Sequence, residues 1–352
     1  MTIMSEQLDV VYGVDSHRDT CHIAVVNATG GVVEDFEITT DAAGYDRAVE
    51  LAGAGPQRRV WAVEGCGSYA AGLVRVLQAA GERIVEVERP KRHRDNTPAK
   101  SDRLDAIRAA REVLSRDHTE LASPRLSAHH DRLSVLVMAR RAAVDAAGDA
   151  TRQLHAAILV APDELRDRFR ALSTSRKIKL AANLRPDNYR DPVCADTARA
   201  LRSIAHRIQT NQHETYELTT HIRTIVNQWR PDLLDNRGVG PIVAAVVLCA
   251  WAHPNRFRSD AAFKMFAGTA PITASSGLTH RHRLNPAGDR QLNRHIDTIV
   301  LCRLRTDPAT RAYRNRKRAE GKTNREIRRC LRSYITRQLF RQLQHPPTPT
   351  TG

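Results

Sequence analysis

Residues 10–38 read VVYGVDSHRDTCHIAVVNATGGVVEDFEI, and this stretch sets the fold class. Val10 to Asp15 is an apolar run ending on a carboxylate, the pattern of a buried strand. A polar turn separates it from a second strand, Cys21 to Asn27; Asn27 to Gly31 then reads as a hairpin loop leading into a third, Val32 to Ile38. Three strands joined by such short turns form an antiparallel meander.

Working outward, Asp41 is placed to cap a helix running to about Ala54, and Arg59 to Glu64 (RVWAVE) is a fourth strand that again ends on an acid. Ser68 to Ala80 reads as a helix and Glu82 to Val87 as a fifth strand. Next, Thr97 to Glu112 (TPAKSDRLDAIRAARE) places Asp102 and Asp105 three residues apart, so on a helix both project from one face. The order βββαβαβα is that of the ribonuclease H-like fold, in which neighbouring strands carry acids. Carboxylates brought together are costly to ionise unless a cation sits between them. Asp15, Glu64, Asp102 and Asp105 are therefore expected to meet at a divalent-metal site.

Just before that acidic helix the chain is crowded with Arg89, Lys91, Arg92, His93, Arg94 and Lys100, held extended by Pro90 and Pro98. The segment is either a solvated loop or a guide for phosphates. Ser127 to Val160 and Asp196 to Trp229 are two long helical runs separated by a break at Arg185 to Pro192. Together they read as an antiparallel coiled-coil arm, serving as a spacer or for dimerisation. Leu133, Leu136, Val137, Val144, Leu154 and Ile158 line a wandering apolar face of the first.

Leu233 to Ala252 (LLDNRGVGPIVAAVVLCAWA) carries a short helix, the turn Gly238-Val239-Gly240 with Pro241 opening the next helix, and an apolar run, a helix-hairpin-helix pattern. Glycines there let the backbone come close to phosphate, so Arg237, Gly238 and Gly240 are candidate contacts. Gly268 to Gly288 (GTAPITASSGLTHRHRLNPAG) reads as a 21-residue loop, a length that favours function. Ser275 and Ser276 precede Gly277 and are turn formers or an exposed nucleophile. His280 and His282, without a third ligand, suit phosphate better than metal, as do Arg281, Arg283 and Arg290. In Asn324 to Leu343 the stripe Ile327, Leu331, Tyr334, Ile335, Leu339 and Leu343 turns inward, leaving Arg328 and Arg332 among the arginines for a backbone. The Pro/Thr-rich tail 346–352 is expected to be disordered.

Charge divides along the chain. Overall, 55 Lys and Arg stand against 39 Asp and Glu, a net +16. Residues 1–96 carry 10 basic and 15 acidic side chains, residues 252–352 carry 21 and 6. An acidic head for carboxylate chemistry and a basic tail for a polyanion follow. The six cysteines show no CxxC pair, arguing against a zinc site or disulfide framework. The longest apolar run is too short for a bilayer and the N-terminus lacks a signal-peptide pattern, so no membrane association and a cytoplasmic, nucleoid-associated location are expected.

The blocks VYGVDSHRDTCHIAVVN, AVEGCGSY, AKSDRLDAIRAA, NRGVGP and RFRSDAAFKMFAGTAPITASSGLTHRHRLNPAGDRQLN resemble those of the RNA-guided insertion-sequence transposases called bridge recombinases. The likeness covers residues 9–115 and 233–307. It implies a RuvC-like DEDD catalytic domain at 1–116, a helical coiled-coil spacer at 117–230, and a mainly helical serine transposase domain at 231–345. It further implies Asp15, Glu64, Asp102 and Asp105 as ligands of one or two Mg²⁺, with Ser276 as nucleophile and Ser275 its rival. The implied partners are double-stranded DNA at element ends and target, a structured noncoding guide RNA, and further copies of the chain in a dimer or tetramer. Asn236-Arg237 departs from the family's apolar residue and proline before Gly-x-Gly, and Cys66 from its usual small or hydroxyl residue. Two other readings use the same features: a Holliday-junction-type nuclease with water as nucleophile, and a noncatalytic nucleic-acid binder.

Overall fold

The computed structural model describes residues 8–56, 58–87, 101–116, 121, 123–124, 127–254, 256–276, 279–283, 285 and 288–345. The chain forms two compact units, each drawn from separate stretches. One gathers the residues up to His130 with Trp251–Arg290 and Arg332–His345; the other gathers Asp131–Ala250 with Gln291–Leu331.

The N-terminal part is a mixed α/β domain. Strands β1 (Val10–Ser16), β2 (Thr20–Asn27), β3 (Val32–Thr39), β4 (Arg59–Glu64) and β5 (Ile84–Val87) form one sheet in the order β3-β2-β1-β4-β5. The first three are antiparallel, and β4 and β5 run parallel to β1. Helix α1 (Ala42–Gly53) starts where expected, with the Asp41 side chain accepting from the Gly44 amide. Helix α2 (Ala71–Ala79) starts three residues later than the sequence suggested. Gly65, at φ +66°, and the Ser68 hydroxyl, which donates to the Gly65 carbonyl, hold a turn there instead. Both helices cover one face of the sheet, α1 through Ala48 and Ala52 and α2 through Leu73, Val74 and Leu77, in one core with Val14, Ile23, Trp61 and Val63. Helix α3 (Asp102–Ser115) covers the other through Ala109, Ala110 and Val113. Trp61 stacks on Tyr12 with ring centroids 4.6 Å apart, and its indole N–H donates to Glu82, which is also held by the Arg59 guanidinium at 2.6 Å.

Further along unit one, α9 (Asp260–Phe266) packs on the C-terminal half of α12 (Asn324–Gln344): Phe263 stacks on Phe340, and Asp260 accepts from Arg337 at 2.9 Å. The expected 21-residue loop is largely a β-hairpin, β6 (Ile272–Ser276) paired with β7 (Thr279–Arg283). Alternation in THRHR and the adjacent Ser-Gly turn signal suit paired strands, a pattern masked by the polar composition. The two legs close at their base, where a Cβ on Gly288 would stand 2.3 Å from Gly268 Cα.

The second unit is helical. Helix α4 (Ala128–Leu159) and α7 (Pro192–Trp229) run antiparallel, as the bonds Arg140 to Thr219 and Arg207 to Gln153 show by their opposite progress along the two chains. Buried Cys194, Ala198, Leu201, Ala205 and Ile208 repeat at alternating spacings of four and three, the seam of a coiled coil. The stretch between them is not a plain break: α5 (Asp163–Phe169) and α6 (Thr174–Ala182) pack Leu165, Phe169 and Ile178 onto that seam with Leu154 and Ile158. Val144, expected on the apolar face, is exposed. After α7 come α8 (Pro241–Trp251), apolar on every side and buried, and then α10 (Arg290–Thr306) and α11 (Pro308–Ala319). The stripe of α12 buries Ile327, Leu331, Ile335, Leu339 and Leu343, while Tyr334 is exposed and Phe340 takes an inward place. Among the described residues no helix is long and apolar enough to cross a membrane.

Candidate active site

Strand parity aims the first two acids. On β1, Val10, Tyr12 and Val14 belong to the core under α1 and α2, and Val11 to the core under α3. On β4, Trp61 and Val63 take the first face, Val60 and Ala62 the second. Because side chains alternate, Asp15 and Glu64 fall on the α3 face. Val14 lies opposite Val63 in the parallel register, so the next residues, Asp15 and Glu64, end neighbouring strands at the same edge of the sheet.

Close packing then delivers the other two. A Cβ on Gly13 would stand 1.9 Å from the Ala106 carbonyl oxygen, so the backbone of α3 rests directly on β1 there. Ala106, Ala110 and Val113 form the buried stripe of α3, and Asp102 lies one turn ahead of Ala106 on that stripe. The helix start also favours the two negative side chains in its first turn.

Between them stands a residue that the sequence reading passed over. His17 Nε2 lies 3.3 Å from Asp15 Oδ2 and 3.1 Å from Asp102 Oδ1, and one ligand atom from each of the three residues lies within 4.8 Å of the others. The spacing Asp-x-His at a strand end, which puts both side chains on one face, was the available signal. Burial holds the Asp15 carboxyl above its usual range; His17 opposes that, while the charges of Asp105 and Asp102 add to it. Burial and nearby Asp15 also push the Cys21 thiol up to about 11. Asp105 accepts from Arg108 at 2.6 Å and, with Glu64, lines an adjoining cleft of about 270 Å³ whose wall includes Arg108, Arg111 and Glu112. The four acids thus collect at one end of the sheet.

The donor set suits a divalent cation. Asp15 Oδ2 is shut off from solvent and has no hydrogen-bond partner among the described residues, a costly state for a carboxylate oxygen unless an ion occupies its lone pair.

Ser275 and Ser276 end β6, with backbones opposite His280 and Thr279; Arg281 and Arg283 follow on β7. The turn at Arg237 is built into unit two: its guanidinium donates to the Thr306 carbonyl at 2.6 Å, and Arg303 donates to the Arg237 carbonyl. Gly238 has φ +87° beside Ile299 and Cys302, whereas Gly240 borders open space. Arg290 is exposed at the start of α10, Arg328 pairs with Asp297, and the Arg332 carbonyl accepts from Thr336. Lys91, Arg92, Arg94 and Lys100, like the tail 346–352, lie outside the described residues.

A basic surface on α11 was not anticipated. This helix buries no residue. Of the acids nearby, Glu320 pairs with Lys317, and Glu326 is occupied by the amide and hydroxyl of Thr323 in a capping box. Arg311 and Arg316 on α11 are exposed, as are Lys322 just after it and Arg325 on α12, the last among the arginines expected to face a backbone. On the arm, by contrast, Arg152, Arg166, Arg170 and Arg199 each pair with an aspartate three residues before them.

Comparison with known proteins attaches names to these regions. Residues 12–161 match a DEDD transposase family of the IS110 type, and residues 232–315 match the transposase IS116/IS110/IS902 family. The first match covers the sheet, α3 and α4, and implies a divalent metal. Over 95 residues the chain is 38% identical to the insertion element IS110 uncharacterized 43.6 kDa protein of Streptomyces coelicolor, covering 27% of this chain and 24% of that one. Over 127 residues it is 32% identical to the insertion element IS900 uncharacterized 42 kDa protein of Mycobacterium paratuberculosis, covering 34% and 32%. The aligned stretches thus span about a quarter to a third of these relatives. Two stretches of this chain are therefore similar to transposase domains of the IS110 insertion-element type, one containing the acidic sheet edge and one containing the serine hairpin.

Proposed function

We propose that the protein is a DNA transposase that cuts and exchanges strands through a seryl–DNA intermediate, with a RuvC-like catalytic domain at 1–116, a helical spacer at 117–230 and a serine transposase domain at 231–345. The observation that carries this reading is the gathering of Asp15, Glu64, Asp102 and Asp105 at one sheet edge. These carboxylates would hold one or two Mg²⁺ or similar ions. When bound, the ion supplies Lewis-acid polarisation of a scissile phosphate and charge stabilisation at the leaving oxygen.

The chain's own part is positioning and nucleophilic attack. Ser276, or its neighbour Ser275, would attack phosphorus, forming the serine–phosphorus ester and breaking the P–O bond to the 3′- or 5′-oxygen, the serine hydroxyl giving up its proton and the departing oxygen gaining one. Energy conserved in that ester lets a second DNA end displace the serine without ATP. Arg311, Arg316, Lys322 and Arg325 would hold the duplex backbone, as exposed cations do. Target choice would rest with a noncoding RNA that pairs with donor and target DNA, the protein contributing backbone contacts. The serine and the acids would meet within one chain or across subunits of a homo-oligomer.

The test is incubation of the protein with Mg²⁺, its flanking noncoding RNA and element-end DNA, followed by denaturing electrophoresis. A covalent protein–DNA adduct is expected, lost in Ser276→Ala and reduced by roughly 100-fold or more in Asp102→Asn. Cleavage that persists in the double variant Ser275→Ala/Ser276→Ala would instead establish the water-dependent nuclease.

A further inference from the structure

We infer that His17 is itself a ligand of the divalent-ion site, and that its nitrogen makes the site prefer Mn²⁺ to Mg²⁺. The inference rests on reading the acids as metal ligands and goes further by adding a fifth residue and a selectivity.

The backbone of His17 is tied into a hairpin. It follows β1 directly and its amide donates to the Thr20 carbonyl at 2.8 Å, closing the four-residue hairpin between Ser16 and its partner Cys21. The imidazole therefore comes from the β1–β2 hairpin, Asp15 from the end of β1 and Asp102 from the start of α3. Three separate backbone positions converge on one spot.

What separates this from an ordinary imidazole–carboxylate ion pair is that one nitrogen meets two carboxylates, whereas an N–H is directed at one oxygen lone pair. Here Nε2 approaches both carboxylates, at 3.1 and 3.3 Å, yet Nε2 and Asp15 Oδ2 are both solvent-excluded and neither has a hydrogen-bond partner among the described residues. One ligand atom from each of Asp15, His17 and Asp102 lies within 4.8 Å of the other two, so a single ion placed among them would contact all three. Ligands about 2.1 Å from an octahedral ion stand about 3 Å from their neighbours, which is the spacing found.

Ligand chemistry gives the selectivity. Mg²⁺ dehydrates reluctantly and takes oxygen donors, whereas imidazole suits first-row transition ions. Replacing one oxygen by nitrogen in a carboxylate site thus penalises Mg²⁺ and favours Mn²⁺, the transition ion most at home among the remaining carboxylates.

The experiment titrates the full-length protein with Mn²⁺, following free ion by electron paramagnetic resonance, and then displaces it with Mg²⁺. Wild type is expected to bind Mn²⁺ at least about tenfold more tightly than Mg²⁺, and electron-spin-echo modulation from a directly coordinated ¹⁴N is expected in the bound spectrum. His17→Ala should lose that modulation and about tenfold of Mn²⁺ affinity, with Mg²⁺ affinity little changed. His17→Asp, which keeps a ligand but restores an all-oxygen set, should bind both ions, lack the modulation and shift the preference towards Mg²⁺; it serves if the alanine variant fails to fold. Modulation absent from wild type, or retained in either variant, overturns the assignment, as does an unchanged Mn²⁺-to-Mg²⁺ ratio in His17→Asp. Failure of wild type to bind either ion would instead remove the metal reading on which the inference stands.

Discussion

Asp15 and Glu64 hang from the ends of two central parallel strands, whereas Ser275 and Ser276 end one arm of a separate two-stranded hairpin. The acid edge is determined several times over: by strand parity, by the Val14–Val63 register and by α3 resting on Gly13. The hairpin belongs to a two-stranded sheet, which has little stability of its own. It is secured from its legs, by the Gly268–Gly288 approach, by the Thr269 hydroxyl paired with Thr336 at 3.0 Å and by the Asn285 amide on the Met265 carbonyl. The proposed metal site needs fixed ligand distances, which the sheet edge supplies, whereas the proposed serine nucleophile sits on the less constrained of the two scaffolds.

The comparison is broken most severely by Gly13→Ala. A methyl 1.9 Å from the Ala106 oxygen meets backbone, which has no rotamer to escape into, so α3 must lift from β1. A loss of about 3 kcal/mol or more is expected in denaturant unfolding, with loss of ion binding because Asp102 and Asp105 move with the helix. A smaller and more local effect is expected from Gly288→Ala, whose new Cβ would meet Gly268 at 2.3 Å. It should cost about 1–3 kcal/mol at the hairpin base and abolish the proposed seryl adduct, while Mn²⁺ or Mg²⁺ binding stays at the wild-type level. Loss of ion binding in that variant would show that the acid edge is not independent of the hairpin.

The mildest effect concerns pH. Hydrogen bonds from Arg59, and then from Trp61, hold the Glu82 carboxyl below its usual range. Its folded value is depressed, so its contribution is fully present above the unfolded value of about 4.3 and is lost as pH falls through the folded one. Acid titration should therefore cost the N-terminal sheet about 1–3 kcal/mol in that window, and Glu82→Gln should remove most of this pH dependence. Tryptophan fluorescence of Trp61 against a Trp251→Phe/Trp229→Phe background would report it; an unchanged acid slope in the glutamine variant would rule out Glu82 as the source.

Much of the N-terminal sheet was readable from local signals. Apolar runs ending at Asp15 and Glu64 mark buried strands, Asp41 marks a helix start, and the three-residue spacing of Asp102 and Asp105 places them on one helical face. Those signals are local because strand and helix periods are properties of the backbone. The arm was readable as two long helices, but α5 and α6 were not, since short helices such as Asp163–Phe169 carry too few turns for a clear period. Tyr334 has the spacing of the α12 stripe and still points to solvent, because a stripe's edge is set by the neighbour it meets.

From sequence alone came the element order, the acids at strand ends, the serine pair before glycine and the uneven charge. Tertiary structure decided which faces meet. His17 was one of fifteen histidines in the sequence, marked locally only by its Asp-x-His spacing; it becomes part of the site because the β1–β2 hairpin and the start of α3 arrive at the same edge. That meeting depends on a register between strands 49 residues apart, Val14 with Val63, and on a glycine small enough to let a helix rest on a strand. Neither is encoded within one turn or one strand, which is why periodicity could locate the acids and only packing could bring them together.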